Sequence, residues 1–241
     1  MKNNPDKTIV ITDSGFGGLS VLAQIYENLK NDKIYFPLNL FFIEALPKNC
    51  KGYPWQGYSL MPDKETKVKV FDNFLNGTER NFNPTLLAVA CNTLSAIIRD
   101  TGFYRNNSDK ILNIIDIGLE RFKQIQIEKD AYLIILATET TISGDIHRQW
   151  LIKNRIFKNE KIIPLFPNPK ANYPLLIETE PYSQKTYKIT EDMLLKGLEK
   201  VGSSQRLEPT PSQRLEPTPG KLVQVSDLNQ PVIYLYLGCT H

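Results

Sequence analysis

Histidine and cysteine are scarce in this chain of 241 residues, which holds two of the first and three of the second. No Cys-x-x-Cys pair occurs, so the ligand spacing of a zinc site is missing and no metal is expected. Three widely spaced cysteines make no disulfide framework and read as free thiols. Charge of one sign is also lacking. A net charge of +3 without a dense basic stripe excludes nucleic acid as a partner. Apolar runs such as Tyr132 to Ala137 and Val232 to Leu237 are far too short to span a bilayer, so no membrane role is expected. Residues Met1 to Asp6 lack the apolar core of a signal peptide, and the expectation is a cytoplasmic protein. The absence of Gly-Lys-Ser/Thr excludes a P-loop. What remains, 41% hydrophobic and 23% charged residues, is the balance of a soluble chain long enough for one large or two small domains.

What is present is an alternation of short apolar runs and amphipathic stretches. Strands are predicted at Thr8 to Thr12, Leu38 to Ile43, Leu86 to Ala90, Ile111 to Ile115, Tyr132 to Ala137, Lys161 to Phe166 and Val232 to Leu237. Helices are predicted at Leu19 to Leu29, Lys64 to Leu75, Leu94 to Ile98, Leu119 to Ile127, Thr141 to Asn154 and Thr190 to Val201, the last with Thr190-Glu191-Asp192 as its capped start. Strands alternating with helices imply parallel sheets wound on both faces. The pattern runs through twice, giving two α/β halves, residues 1–103 and 104–241.

Two of the three cysteines stand where such strands end. Cys91 closes Leu86-Leu87-Ala88-Val89-Ala90 and precedes Asn92-Thr93; Cys239 closes Val232 to Gly238 and precedes Thr240-His241. In open α/β sheets the carboxyl edge is where ligands bind. Two thiols delivered alike from two halves suggest a paired acid and base, one removing a proton from a carbon and the other returning one to the opposite face. A thiol at a helix N-terminus is expected to have a lowered pKa, although a buried cysteine also packs as a small hydrophobe. Asn92 and Thr93 offer hydrogen bonds to a ligand, and His241 is a candidate proton partner for Cys239. Cys50, with no strand leading to it, has no assigned role. His147 lies in the charged stretch Asp145-Ile146-His147-Arg148 and is expected to be solvated.

The first strand runs into Asp13-Ser14-Gly15-Phe16-Gly17-Gly18-Leu19-Ser20. Ser20 stands where a dinucleotide fingerprint needs its third glycine. A loop that opens a helix still favours a small anion such as a carboxylate. Asp13 at the strand end suits a helix cap as well as a site residue.

Together, Asp13-Ser14-Gly15-x-Gly17-Gly18-Leu19-Ser20, Cys91-Asn92-Thr93-x-Ser95-Ala96 and Leu237-Gly238-Cys239-Thr240-His241 resemble the cofactor-independent aspartate/glutamate racemase family, in the family's order and from residue 8 to residue 241. Leu136-Ala137-Thr138-x-x-Thr141-x-Ser143 is similar to the family's second-domain Thr motif. Pro174-Leu175-Leu176-Ile177-Glu178 is similar to a stretch with an auxiliary glutamate. The resemblance implies two pseudo-symmetric α/β domains with the active site in the cleft between them. It implies Cys91 and Cys239 as acid/base thiols, Asp13 assisting the first and His241, with Glu178, the second. Ser14, Asn92, Thr93, Thr141 and Thr240 would hold the substrate. The implied reaction inverts the α-carbon of glutamate or a related acidic amino acid without any cofactor, supplying D-glutamate for peptidoglycan; a homodimer is compatible with it. A decarboxylase or isomerase on the same fold would keep only one of the two thiols, and a non-catalytic amino-acid binder is the alternative outside catalysis.

Three features depart from the family pattern. Its Pro-Tyr-Gly substrate loop is replaced by Lys51-Gly52-Tyr53-Pro54-Trp55-Gln56-Gly57-Tyr58, leaving Tyr53 or Tyr58 to substitute. The chain stops at Cys-Thr-His where family members continue, so a fragment of limited activity is expected. Ser204 to Pro211 is repeated unchanged at Ser212 to Pro219. Four prolines preclude a regular helix or central strand there, and 203–220 reads as a flexible surface insert. Deleting one octapeptide is expected to leave the melting temperature nearly unchanged, since lengthening a surface loop changes closure entropy little; a large drop in a calorimetric scan would show a packed repeat.

Overall fold

The computed structural model describes residues 7–33, 37–46, 57–58, 61–168, 173, 176–177, 180, 182–202, 222–225 and 232–238. The chain divides into two compact units, Met1–Ile117 and Gly118–His241. Among the described residues no helix is long and apolar enough to cross a membrane.

The first unit runs β1 (Lys7–Asp13), α1 (Gly17–Asn31), β2 (Leu38–Glu44), α2 (Lys64–Phe82), β3 (Leu86–Val89), α3 (Asn92–Ile97), α4 (Gly102–Asn107), β4 (Ile111–Asn113) and the start of α5 (Ile114–Phe122). Its sheet has the order β2-β1-β3-β4, with every pairing parallel. The order reverses between β1 and β3, and such a switch point is where α/β sheets open a crevice at their carboxyl ends. Helix α2 starts where the Asp63 carboxylate accepts the Thr66 N–H at 2.6 Å and stops at Asn83 in the left-handed region. It extends seven residues past the expected end and buries Phe71 and Leu75 against Leu87, Leu94 and Ile97.

The division falls at 117/118 rather than at 103/104 because β4 belongs to the first sheet. Leu87, Ala88 and Val89 pair with Ile111, Leu112 and Asn113. Lys110, just ahead of β4, grips both oxygens of Glu79 on α2 at 2.6 and 2.7 Å. Strand β4 is also shorter than expected. Asn113 Oδ1 accepts the Asp116 N–H at 2.9 Å and turns the chain into α5 at Ile114.

The second unit contains β5 (Tyr132–Ala137), α6 (Glu139–Ser143), α7 (Ile146–Lys153), β6 (Ile162–Leu165), α8 (Gln184–Val201), β7 (Leu222–Val225) and β8 (Ile233–Gly238). Its sheet has the order β6-β5-β8-β7, so β5 and β8 repeat the placement of β1 and β3. β7 departs from the all-parallel expectation and pairs antiparallel with β8. The single helix expected over 141–154 is two, because Gly144 is followed by Asp145 at φ 55°, a left-handed turn that ends α6. Helix α8 begins at Gln184, capped by Ser183 accepting the Thr186 N–H, not at Thr190. Thr190 instead donates its hydroxyl to the Thr186 carbonyl within the helix. His147 is buried, contrary to expectation, with its ring 4.9 Å from that of Tyr236. The octapeptide repeat lies outside the described residues.

Candidate active site

Asp13 ends β1 and is fully buried. Its Oδ1 accepts the Gly15 N–H at 3.3 Å and the Ser14 hydroxyl at 3.5 Å. The N-cap of α1 is Phe16, with no side-chain capping bond, so Asp13 is not the helix cap its spacing allowed. Ser14 Oγ lies 3.2 Å from Cys91 Sγ. The two strand ends are held side by side, since the Ala90 N–H donates to the Thr12 carbonyl and Thr12 pairs with Val89. Asp13, Ser14 and Cys91 therefore form one contiguous set at the switch point of the first sheet.

Helix α1 reaches this edge because Gly18 has no side chain. A Cβ there would sit 2.8 Å from Phe42 Cε2 and 3.0 Å from Asp13 Cβ. Gly18→Ala is expected to cost about 1–3 kcal/mol through overpacking and to displace Asp13; urea unfolding of the variant measures it, and an unchanged midpoint would show that the contact relaxes freely.

Cys91 is buried at the N-cap of α3, followed by buried Asn92, Thr93 and Ser95. Ser95 was not anticipated as part of the site; its hydroxyl donates to the Val89 carbonyl at 3.3 Å and braces the strand end. The Cys91 thiol is pushed up from its ordinary range, not down as its position before a helix suggests. Burial is the first cause and the Asp13 carboxylate the second, and together they outweigh hydrogen bonds from Ser14 and the Leu94 N–H. Both causes favour the protonated thiol at neutral pH.

This has a consequence for stability. A thiol whose folded pKa is raised contributes stability that is intact below the unfolded value, about 8.5, and is lost as pH rises toward the folded value. Stability should fall above pH ~8.5 by up to about 1.4 kcal/mol per pH unit from this group, because the unfolded chain binds fewer protons there. Chemical denaturation between pH 7 and about 9.5 should show a shallower decline for Cys91→Ala; parallel profiles would show that Cys91 ionises as readily folded as unfolded.

Glu44 ends β2 in register with Asp13. Its carboxyl is raised by burial and then by the Asp13 charge. The residue pattern shows it only as the acidic end of the second strand, because pairing register decides which strand ends are neighbours. Tyr58, one of two candidates for a substrate-loop tyrosine, is instead a core residue. It is 2% exposed, its ring meets Phe71 edge-on, and its hydroxyl donates to the Ala45 carbonyl at 3.0 Å.

In the second unit Thr138 caps α6, and its Oγ1 lies 3.0 Å from that of buried Thr141. β8 pairs Gly238 with Ala137 at the end of β5. A Cβ at Gly238 would stand 2.7 Å from Ala137 Cβ, so this close pairing requires glycine. Cys239 is the next residue in sequence; it, Thr240, His241, Glu178, Tyr53 and Cys50 lie outside the described residues. Among the described residues no three His, Cys, Asp or Glu side chains gather as a metal would require.

No family model matches the chain. It is 28% identical over 144 residues to a glutamate racemase of Campylobacter jejuni, covering 60% of this chain and 51% of that one. The chain spans about half the length of the curated relatives it matches. Among solved structures, glutamate racemase isoform RacE1 of Bacillus anthracis aligns with a TM-score of 0.62 at 19% identity, over 98% of this chain and 69% of that one. Glutamate racemase of Francisella tularensis, solved in complex with D-glutamate, aligns with a TM-score of 0.58 at 20% identity, over 81% and 65%. In fold, then, this is an α/β protein that shares its architecture with the glutamate racemases. The resemblance to that family is borne out by this likeness, and by sequence the chain is similar to the glutamate racemases.

Proposed function

We propose that the chain inverts the α-carbon of an acidic amino acid, glutamate first, by proton transfer between two thiols without a cofactor. The observation that carries this reading is the contiguous set Asp13, Ser14 and Cys91 at the β1/β3 switch point. Cys91, held as a thiol, is set to give a proton to one face of the carbon. In the opposite sense it removes one. Ser14 serves both states because a hydroxyl both donates and accepts. It accepts from the thiol while donating to Asp13, which opens a path for the proton to the carboxylate, and it turns to donate to the thiolate once that forms. Cys239 is proposed for the other face, with His241 as its proton partner. Asn92, Thr93, Thr141 and Thr240 are proposed to hold the substrate's amine and carboxylates. D-glutamate made this way would serve peptidoglycan.

The test is circular dichroism of L-glutamate and, separately, L-aspartate incubated with the protein. Decay of the glutamate signal to zero is the expected result. Decay of aspartate alone would reassign the substrate, and two constant signals with measurable ligand binding would mark a non-catalytic binder.

A further inference from the structure

Resting on that reading, we propose that Tyr58 is a positioning residue for the acid/base site, holding Asp13 in place through the backbone of Ala45. The two links are short and sequential. Tyr58 Oη donates to the Ala45 carbonyl at 3.0 Å, and the Ala45 N–H donates to the Asp13 carbonyl at 2.7 Å. Asp13 in turn bonds Ser14, whose Oγ meets Cys91 Sγ. Tyr58 is thus joined to the thiol through a continuous path of named contacts while its own hydroxyl faces the protein backbone.

The setting makes the tie stiff at one end. Tyr58, Ala45 and Phe71 are each no more than 2% exposed, and the Tyr58 ring is pinned edge-on to Phe71, 6.3 Å between centroids. At the other end, Asp13 needs holding. Its neighbour in register is Glu44, the residue just before Ala45, and two carboxylates at adjacent strand ends repel. Fixing Ala45 therefore fixes both the chain that carries Glu44 and the backbone of Asp13. A buried carbonyl left without its donor is costly, so loss of the Tyr58 hydroxyl is expected to shift Ala45 rather than leave it in place.

The experiment reads Cys91 directly. Carbon-13 is introduced at cysteine Cβ, the Cys91 resonance is assigned with Cys91→Ser, and its titration is followed in the full chain. Asp13 is the charged group acting on Cys91, and Glu44 is the charged group in register beside Asp13. Asp13→Asn is expected to lower the Cys91 midpoint. Tyr58→Phe, which keeps the ring on Phe71, is expected to lower it by a smaller amount, and to add nothing in the Asp13→Asn background. A general structural role would move the midpoint equally in both backgrounds. An unmoved midpoint, or equal movement with and without the carboxylate, overturns the proposal.

A second measurement needs no variant. The Ala45 amide of the unaltered protein is expected to exchange slowly with solvent, and exchange at loop rates would overturn the proposal. Neither readout requires turnover. Inert protein with the expected shift contradicts the racemase reading alone, and active protein without the shift contradicts the role of Tyr58 alone.

Discussion

If the proposed reaction is the chain's own, Cys91→Ser is expected to abolish most of its racemisation, with a loss of about 10² to 10⁴-fold in turnover, the range spanned by a general acid–base group. The hydroxyl that replaces the thiol is a far weaker acid, and it sits in the same place, where burial first and the Asp13 carboxylate second already push the thiol up. It can neither give a proton to the carbon nor, as its conjugate base, remove one at neutral pH. Folding should be preserved, because the change is nearly isosteric and Ser14 Oγ remains as a hydrogen-bond partner. The checks are the dichroism assay for turnover and a thermal melt for the fold. Retention of more than about a tenth of wild-type turnover, a barrier change below about 1.4 kcal/mol, would remove Cys91 from the mechanism.

Phe71→Ala is expected to destabilise the first unit by about 3–5 kcal/mol. The ring is fully buried at the centre of a cluster containing Leu75, Leu87, Leu94 and Ile97. It also meets Tyr58 edge-on and stacks on Phe74 at 6.1 Å. Truncation leaves a cavity bordered by α2 and β3, two elements with little freedom to collapse into it. A loss of this size is a large part of the few to fifteen kcal/mol that stabilise an ordinary domain. Urea denaturation followed by amide signals of the first unit measures it, and a shift below about 1 kcal/mol would mean that the cluster repacks around the gap.

How much of this was legible in the residues depends on which force decided each element. Tyr132–Ala137 was readable to the residue, because a strand covered on both faces needs nothing but a continuous apolar run. Boundaries set by polar contacts were not. The start of α8 depends on Ser183 capping a turn whose next residues, Gln184 and Lys185, are polar, so apolar spacing pointed to Thr190 instead. The break between α6 and α7 was hidden because Ile142, Ile146 and Trp150 keep helical spacing across Gly144-Asp145. His147 was misjudged from its neighbours. Asp145 and Arg148, both half-buried, pair with each other at 2.7 Å, while the imidazole packs on Tyr236.

At the candidate site, the pattern showed which residues end strands, and the structure brings Asp13, Ser14 and Cys91 together at one sheet edge. Depth was invisible. The direction of the Cys91 shift follows from burial and from a carboxylate that is seventy-eight positions away in sequence. Glu44 was passed over for the same reason, and Tyr58, expected in a substrate loop, lies in the core instead, because register and a backbone bond rather than a motif decide where these two side chains stand.

The most direct test of the two-thiol reading is to run the protein on L-glutamate in D2O and to stop before one turnover per molecule of substrate. Each thiol carries a single proton, so inversion through two of them places solvent deuterium on the α-carbon of the D-glutamate formed, while recovered L-glutamate stays largely protiated. Product that retains the substrate's own α-proton would show that one group serves both faces, and would contradict the assignment of Cys91 and Cys239 as a pair.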